Sequence, residues 1–258
     1  MKVEVETTAR KTENGWADQD GFVGPFRPGN GPRNDPRGDF PTGPEVGEKM
    51  PNVQCRDSRG QTFDLHADRG NTPALFMFFR SAVWCPPCRS QLVQLQNSMQ
   101  AFDDAGIRVY ALSYDEQAAL ADFADAYNIS YTFLSDSTSK VIRQFGILNT
   151  IIAEDDHPWF GIPYPGTYLL DAEGTITHKF FENNLAVRVG PEQLLKAFRG
   201  ETFATQKHLP LDNVPAEVTA TVFLDGEAMA LSVQRELVAQ LTVPLGSHVY
   251  ASPAPKGI

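Results

Sequence analysis

The chain has 258 residues, which at roughly 150 residues per domain allows one sizeable core and a smaller appendage. Hydrophobic residues make up 41% and charged residues 21%, proportions that exclude a wholly disordered or collagen-like chain. The 22 Lys and Arg against 32 Asp and Glu give a formal charge of −10, a field that repels phosphate backbones and argues against nucleic acid as a partner.

Three cysteines are too few for a disulfide-stapled secreted scaffold, so any redox chemistry rests on very few residues. No apolar run approaches the roughly 20 residues that span a bilayer; the longest compact one runs from Pro73 to Phe79. The opening MKVEVETTARKTENGW has no apolar core of the kind a secretory signal carries. The expected location is the cytoplasm, or the periplasm if a leader is missing.

Residues 1–47 hold eight glycines and six prolines without helical or strand periodicity. They read as an extended tail whose Trp16, Phe22, Phe26 and Phe40 are available to dock on the body. Residues 48–200 carry an α/β pattern. Ala74 to Phe79 is a continuous apolar run suited to a central strand buried on both faces. Pro86 to Ala105 reads as one helix with Leu92, Leu95, Met99 and Phe102 on a stripe. Ile107 to Tyr114 is a second strand, and Ser113-Tyr-Asp-Glu116 has the spacing of a capping box opening the next helix. Tyr131 to Leu134 is a third strand, followed by a helix capped by Asp136 and stopped at Gly146. Strand and helix in alternation imply a parallel sheet. Thr167 to Leu170 and Thr175 to Phe181 form a hairpin about Asp171-Ala-Glu-Gly174, and Pro191 to Phe198 is a last helix. Residues 201–215 read as a linker, and 216–258 as a partial β extension containing two strands.

The chemistry concentrates in Arg80-Ser-Ala-Val-Trp-Cys-Pro-Pro-Cys-Arg89. Cys85 falls just before the first helical turn, where backbone N–H groups and the helix dipole favour thiolate over thiol. Cys88 lies one turn on, within reach to close a small disulfide, and Pro86 and Pro87 restrict the backbone between them. A zinc site would need two more ligands, and only Cys55 and His66 are near in sequence. A structural disulfide and a redox pair are the other readings, and a C-x-x-C at a strand-to-helix junction reads as redox-active. Cys55 reads as an idle thiol, with a second resolving role as the sharper alternative. Glu154, Asp155, Asp156 and His157 read as a solvated acidic loop, and His178 and His248 as structural.

Residues 48–200 resemble the redoxin group of the thioredoxin superfamily, the peroxiredoxin-like AhpC/TSA proteins that also include TlpA-type thiol:disulfide reductases. Trp84-Cys-Pro-Pro-Cys88 is similar to that group's W-C-x-x-C site, ALSYDEQAALADFADAYNISYTFLSD to its second strand, helix and third strand, and PGTYLLDAEGTI to its late strand pair. The resemblance implies a thioredoxin-like fold, a mixed central sheet flanked by helices. It also implies Cys85 as attacking thiolate and Cys88 as resolving thiol, with Trp84, Arg80, Arg89, Pro165, Gly166 and Thr167 around them. Arg80 or Arg89 is the candidate positive charge near the thiolate, a surface ion pair is the other reading of Arg89, and Trp84 reads as a lid or a partner-contact surface.

The sequence departs from the peroxiredoxin pattern P-x-x-x-T-x-x-C. Counting back from Cys85 those positions hold Phe78 and Ala82, and from Cys88 they hold Ser81 and Cys85. The arginine expected before the late strand is Pro165, Gly166 stands in the cis-proline slot of thioredoxins, and Phe79 replaces their buried Asp. The expectation is therefore a thiol-disulfide oxidoreductase acting on a disulfide-containing protein or small thiol, re-reduced by a thioredoxin or glutathione system, with no cofactor beyond the cysteine pair. A thiol peroxidase reducing hydroperoxides is the alternative enzyme, and a redox-sensing interaction module the alternative of another class.

Overall fold

The structure, a computed structural model, describes residues 10–12, 15–17, 23–24, 40–150, 152, 159–182, 188–201, 219–224 and 237–242. Three short strands, β1 (Arg10–Thr12), β2 (Gly15–Ala17) and β3 (Val23–Gly24), form a small antiparallel sheet inside the segment expected to be wholly extended. Near the C-terminus β11 (Thr219–Leu224) and β12 (Leu237–Thr242) pair antiparallel, the two strands expected there.

The main sheet has seven strands: β4 (Gln54–Asp57), β5 (Thr62–Asp64), β6 (Ala74–Phe78), β7 (Arg108–Ser113), β8 (Thr132–Ser135), β9 (Gly166–Leu170) and β10 (Ile176–Phe181). Their order is β10-β9-β6-β7-β8-β4-β5. β6, β7 and β8 run parallel, while β9 and β10 on one side and β4 and β5 on the other are antiparallel. The sheet is thus mixed, as expected. The helices are α1 (Leu65–Arg69), α2 (Pro86–Asn97), α3 (Met99–Asp104), α4 (Gln117–Tyr127), α5 (Lys140–Gln144) and α6 (Pro191–Phe198).

Strand β6 explains the layering. Its side chains alternate between faces, so Leu75 and Met77 enter one apolar cluster and Ala74, Phe76 and Phe78 the other. Both clusters are closed to water, which is why the run reads as continuously apolar. The first cluster collects Leu92, Leu95, Phe102, Leu120, Phe123 and Leu194 together with Cys85 and Cys88. The second collects Tyr110, Leu134, Val141, Phe145 and Tyr168, with Cys55 at its margin.

Three local expectations change. The helix expected over 86–105 breaks at Ser98 (φ −104°, ψ 5°) into α2 and α3. Asn and Ser are weak helix formers, and the break leaves the Leu92, Leu95, Met99, Phe102 stripe buried. The capping box at 113–116 does not form: α4 opens from Glu116 with no side-chain cap, and the Ser113 hydroxyl donates to Asp115 instead (2.9 Å). The end of the expected tail is held on the domain. Phe40 packs on Tyr164 with ring centroids 5.0 Å apart, the Tyr168 hydroxyl donates to the Thr42 carbonyl, and Lys179 bonds Thr42 Oγ1 (2.9 Å) and pairs with Glu45 (2.6 Å). Gly43, at φ +68°, permits this approach, because a Cβ there would lie 2.4 Å from the Tyr168 hydroxyl oxygen. Trp16 lies in β2, whose side chains are outside the described residues, as are Phe22, Phe26, 154–157 and His248.

Candidate active site

The site begins where β6 stops pairing. The Phe79 N–H makes the last bond to β7, at the Leu112 carbonyl (3.0 Å), and residues 80–84 loop to Cys85, the N-cap of α2. Cys85 and Cys88 are joined in a disulfide with Cα atoms 5.3 Å apart, and both are fully buried. Pro86 and Pro87 occupy the first helical positions. Proline lacks an N–H, so two of the donors expected to favour a Cys85 thiolate do not exist, and no side-chain cap bond forms.

Guanidinium groups stand in their place. Arg80 Nη2 lies 3.4 Å from Cys85 Sγ, and Arg188 Nη2 lies 3.4 Å from Cys88 Sγ. Arg80 and Arg188 are both buried. Desolvation by burial, and then the charge of Arg80, hold the Arg188 guanidinium well below its usual range. Two positive groups near each other and beside two sulfurs form a field that favours thiolate on either sulfur once the disulfide opens.

A buried carboxylate organises the loop. Asp115, two residues past the end of β7, accepts the Ser81 hydroxyl (2.7 Å), the Ala82 N–H (2.7 Å) and the Ser113 hydroxyl (2.9 Å). Ser81 Oγ in turn accepts the N–H groups of Val83 (2.9 Å) and Trp84 (3.4 Å). Burial pushes the Asp115 carboxyl up to about 6, against the opposing pull of its three donors.

Trp84 is not a surface for partners but is buried. Its Nε1–H donates to the Tyr114 hydroxyl (2.9 Å), and its ring stacks on Trp159 at 4.0 Å and 8°. Arg80 lies over its ring at 5.6 Å. Arg89, read from sequence as a surface ion-pair former, is buried too. It donates to the Tyr127 hydroxyl (2.9 Å) and lies over the Phe123 and Tyr127 rings.

Pro165, Gly166 and Thr167, at the start of β9, line a narrow crevice with Gln91, Glu182 and Arg188. The Phe181 ring packs over the bare backbone of Gly166, where a Cβ would lie 2.2 Å from it and the ring would have to shift. Cys55 stands apart, on β4 against the opposite apolar cluster, so it is not placed to resolve a bond at Cys85. Burial, then Asp136 and Asp57, push its thiol up to about 12.

With that geometry in place, the comparisons are specific. Residues 46–179 match the model of the AhpC/TSA family. The chain belongs to that family. Among relatives of this AhpC/TSA chain, wheat (Triticum aestivum) chloroplastic peroxiredoxin Q is 28% identical over 132 residues, which are 51% of this chain and 57% of that protein. Escherichia coli K12 peroxiredoxin Bcp is 27% identical over 140 residues, 53% of this chain and 85% of that protein. The chain therefore spans little more than half the length of the plant relatives it matches.

Among solved structures, Mycobacterium tuberculosis peroxidoxin BcpB superposes with a TM-score of 0.51 at 18% identity, covering 60% of this chain and 96% of that one. A peroxiredoxin-like protein from Aquifex aeolicus gives 0.53 at 16%, covering 64% and 94%. These likenesses establish the thioredoxin-like peroxiredoxin fold.

Sequence reasoning missed Asp115, Ser81, Tyr114, Trp159 and Arg188. Ser81 and Asp115 follow the ends of adjacent parallel strands, where α/β proteins gather their sites, so a topological signal existed. Arg188 lies 100 positions from its sulfur partner and carries no local signal at all.

Proposed function

We propose that this chain is a thiol-dependent peroxidase. The observation that carries the reading is the buried Cys85–Cys88 disulfide with one guanidinium on each sulfur, inside an AhpC/TSA domain. In the cycle, the Cys85 thiolate attacks the terminal oxygen of a hydroperoxide. An S–O bond forms, the O–O bond breaks, and the alcohol or water leaves after taking a proton, so that sulfur is oxidised to sulfenic acid. The Cys88 sulfur then attacks Cys85, expelling water and closing the disulfide, which a dithiol of the thioredoxin or glutathione class reduces by exchange. Arg80 and Arg188 stabilise negative charge on the two sulfurs, and Pro165, Gly166 and Thr167 shape the approach beside Arg188. The names of the relatives, peroxiredoxins, favour this over the disulfide exchange expected from sequence.

One observation favours exchange as the second reading: neither register of the site carries the Pro and Thr of P-x-x-x-T-x-x-C. The test is a paired assay on the reduced protein. Hydroperoxide consumption at a rate constant well above that of a free thiol, with little insulin-disulfide reduction, supports the peroxidase. The reverse result sinks it in favour of exchange.

A further inference from the structure

We propose that Asp115 is a positioning residue for the dithiol site, acting through Ser81 to hold the 80–85 loop so that Arg80 stays on Cys85. The contact between Arg80 and Cys85 closes a ring of the chain across five residue positions. The ring lies past the point where the chain leaves the sheet, after the Phe79 N–H bonds the Leu112 carbonyl. Inside the ring, three successive backbone N–H groups, those of Ala82, Val83 and Trp84, point inward and must find acceptors in a buried setting. All three do so on two side chains: Ala82 on Asp115 (2.7 Å), Val83 and Trp84 on Ser81 Oγ (2.9 and 3.4 Å). Ser81 is itself held by Asp115 (2.7 Å).

The anchor is rigid in turn. The Ser135 hydroxyl of β8 donates to the Asp115 carbonyl (2.7 Å), Ser113 of β7 donates to its carboxylate (2.9 Å), and the Asp136 N–H bonds the Ser113 carbonyl (2.8 Å). The ends of two central strands are thus connected, through one carboxylate, to the residues on either side of the nucleophile. Asp115 and Ser81 are each buried. A buried carboxylate is costly to keep and is offset here by bonds that only the loop and its neighbours supply. When the anchor is removed, the loop N–H groups lose their acceptors and the ring relaxes. The guanidinium then no longer holds hydrogen-bond distance to Cys85, and the thiolate loses its charge-assisted partner.

The inference rests on Cys85 being a reactive thiolate but not on peroxide being its substrate. The experiment is the pH profile of iodoacetamide alkylation of Cys85 in the reduced full chain, read by peptide mass, for wild type, Ser81→Ala, Ser81→Thr and Asp115→Asn. Expected is an upward shift of the alkylation midpoint and a roughly tenfold slower reaction at neutral pH in Ser81→Ala and Asp115→Asn, with the hydroxyl of Ser81→Thr restoring most of the rate. Superimposable profiles for wild type and Ser81→Ala, with both folded, overturn the positioning role. Should Asp115→Asn fail to fold, the Ala and Thr variants at Ser81 decide alone. A fall in alkylation without any peroxide turnover by wild type retains the positioning role and removes only the peroxidase reading.

Discussion

Cys55 and the Cys85–Cys88 pair occupy electrically opposite neighbourhoods in one domain. Cys55 is half-buried beside a cleft of about 550 Å³ at the β4–β5 edge, yet burial and the carboxylates of Asp136 and Asp57 hold its thiol up to about 12. Cys85 and Cys88 are fully buried, yet each has a guanidinium at 3.4 Å. Access and reactivity are thus separated: the sulfur nearer to solvent is held in its protonated form, and the enclosed ones are placed where negative charge is stabilised. At Cys55 burial is the larger cause and the carboxylates add to it, whereas at the pair the guanidiniums oppose the cost that burial places on a thiolate.

The contrast breaks most visibly at the pair itself. Cys85→Ser is expected to abolish turnover, by at least about a hundredfold, while Cys88→Ser leaves Cys85 able to react once with hydroperoxide, its sulfenic acid then being captured by added dimedone and seen by mass spectrometry. Turnover surviving in Cys85→Ser would reassign the nucleophile. Next in size, Arg80→Met and Arg188→Met each remove a hydrogen bond to a charged sulfur worth about 1.5–3 kcal/mol. Each should slow alkylation of its own cysteine at neutral pH by roughly tenfold to a hundredfold. Equal slowing at both sulfurs in either variant would show that the two guanidiniums act as one field rather than one per sulfur.

A third test uses proton linkage at Asp115. Its carboxyl titrates near 6 in the fold, above its ordinary 3.8, so the folded state favours the protonated form. Its contribution to stability is complete below about pH 4 and is lost as pH rises through 6, a change on the order of 3 kcal/mol. Chemical denaturation of Asp115→Asn across that window should lack this slope, and an unchanged slope would assign the linkage to other groups. The smallest effect is expected at Cys55. Cys55→Ser should leave turnover unchanged and move stability by less than about 1 kcal/mol, and the wild-type thiol should resist alkylation near neutral pH.

Much of the frame was legible because it is periodic. The apolar run of β6, the stripe of α2 and α3, and the Asp-to-Gly turn before β10 each announce their element through side-chain spacing. The same is true of Cys85 and Cys88, whose separation is one helical turn. What escaped was set by tertiary competition. Ser113 had the spacing of a cap, but a carboxylate required by another loop took its hydroxyl. Arg89 looked like a surface charge because its aromatic neighbours Phe123 and Tyr127 come from α4. The paired prolines had the opposite effect to a simple N-cap argument, since they suit the first turn while deleting the donors that argument relies on.

Two of the chain's three tryptophans, Trp84 and Trp159, lie face to face at 4.0 Å, the first of them adjacent in sequence to Cys85. Closely parallel indoles couple their electronic transitions, and a disulfide nearby accepts an electron from an excited indole and quenches it. The molecule therefore carries an unlabelled optical gauge of its own oxidation state: opening the bond should brighten tryptophan emission, and any rearrangement of the stack should alter the near-ultraviolet circular dichroism in the same titration.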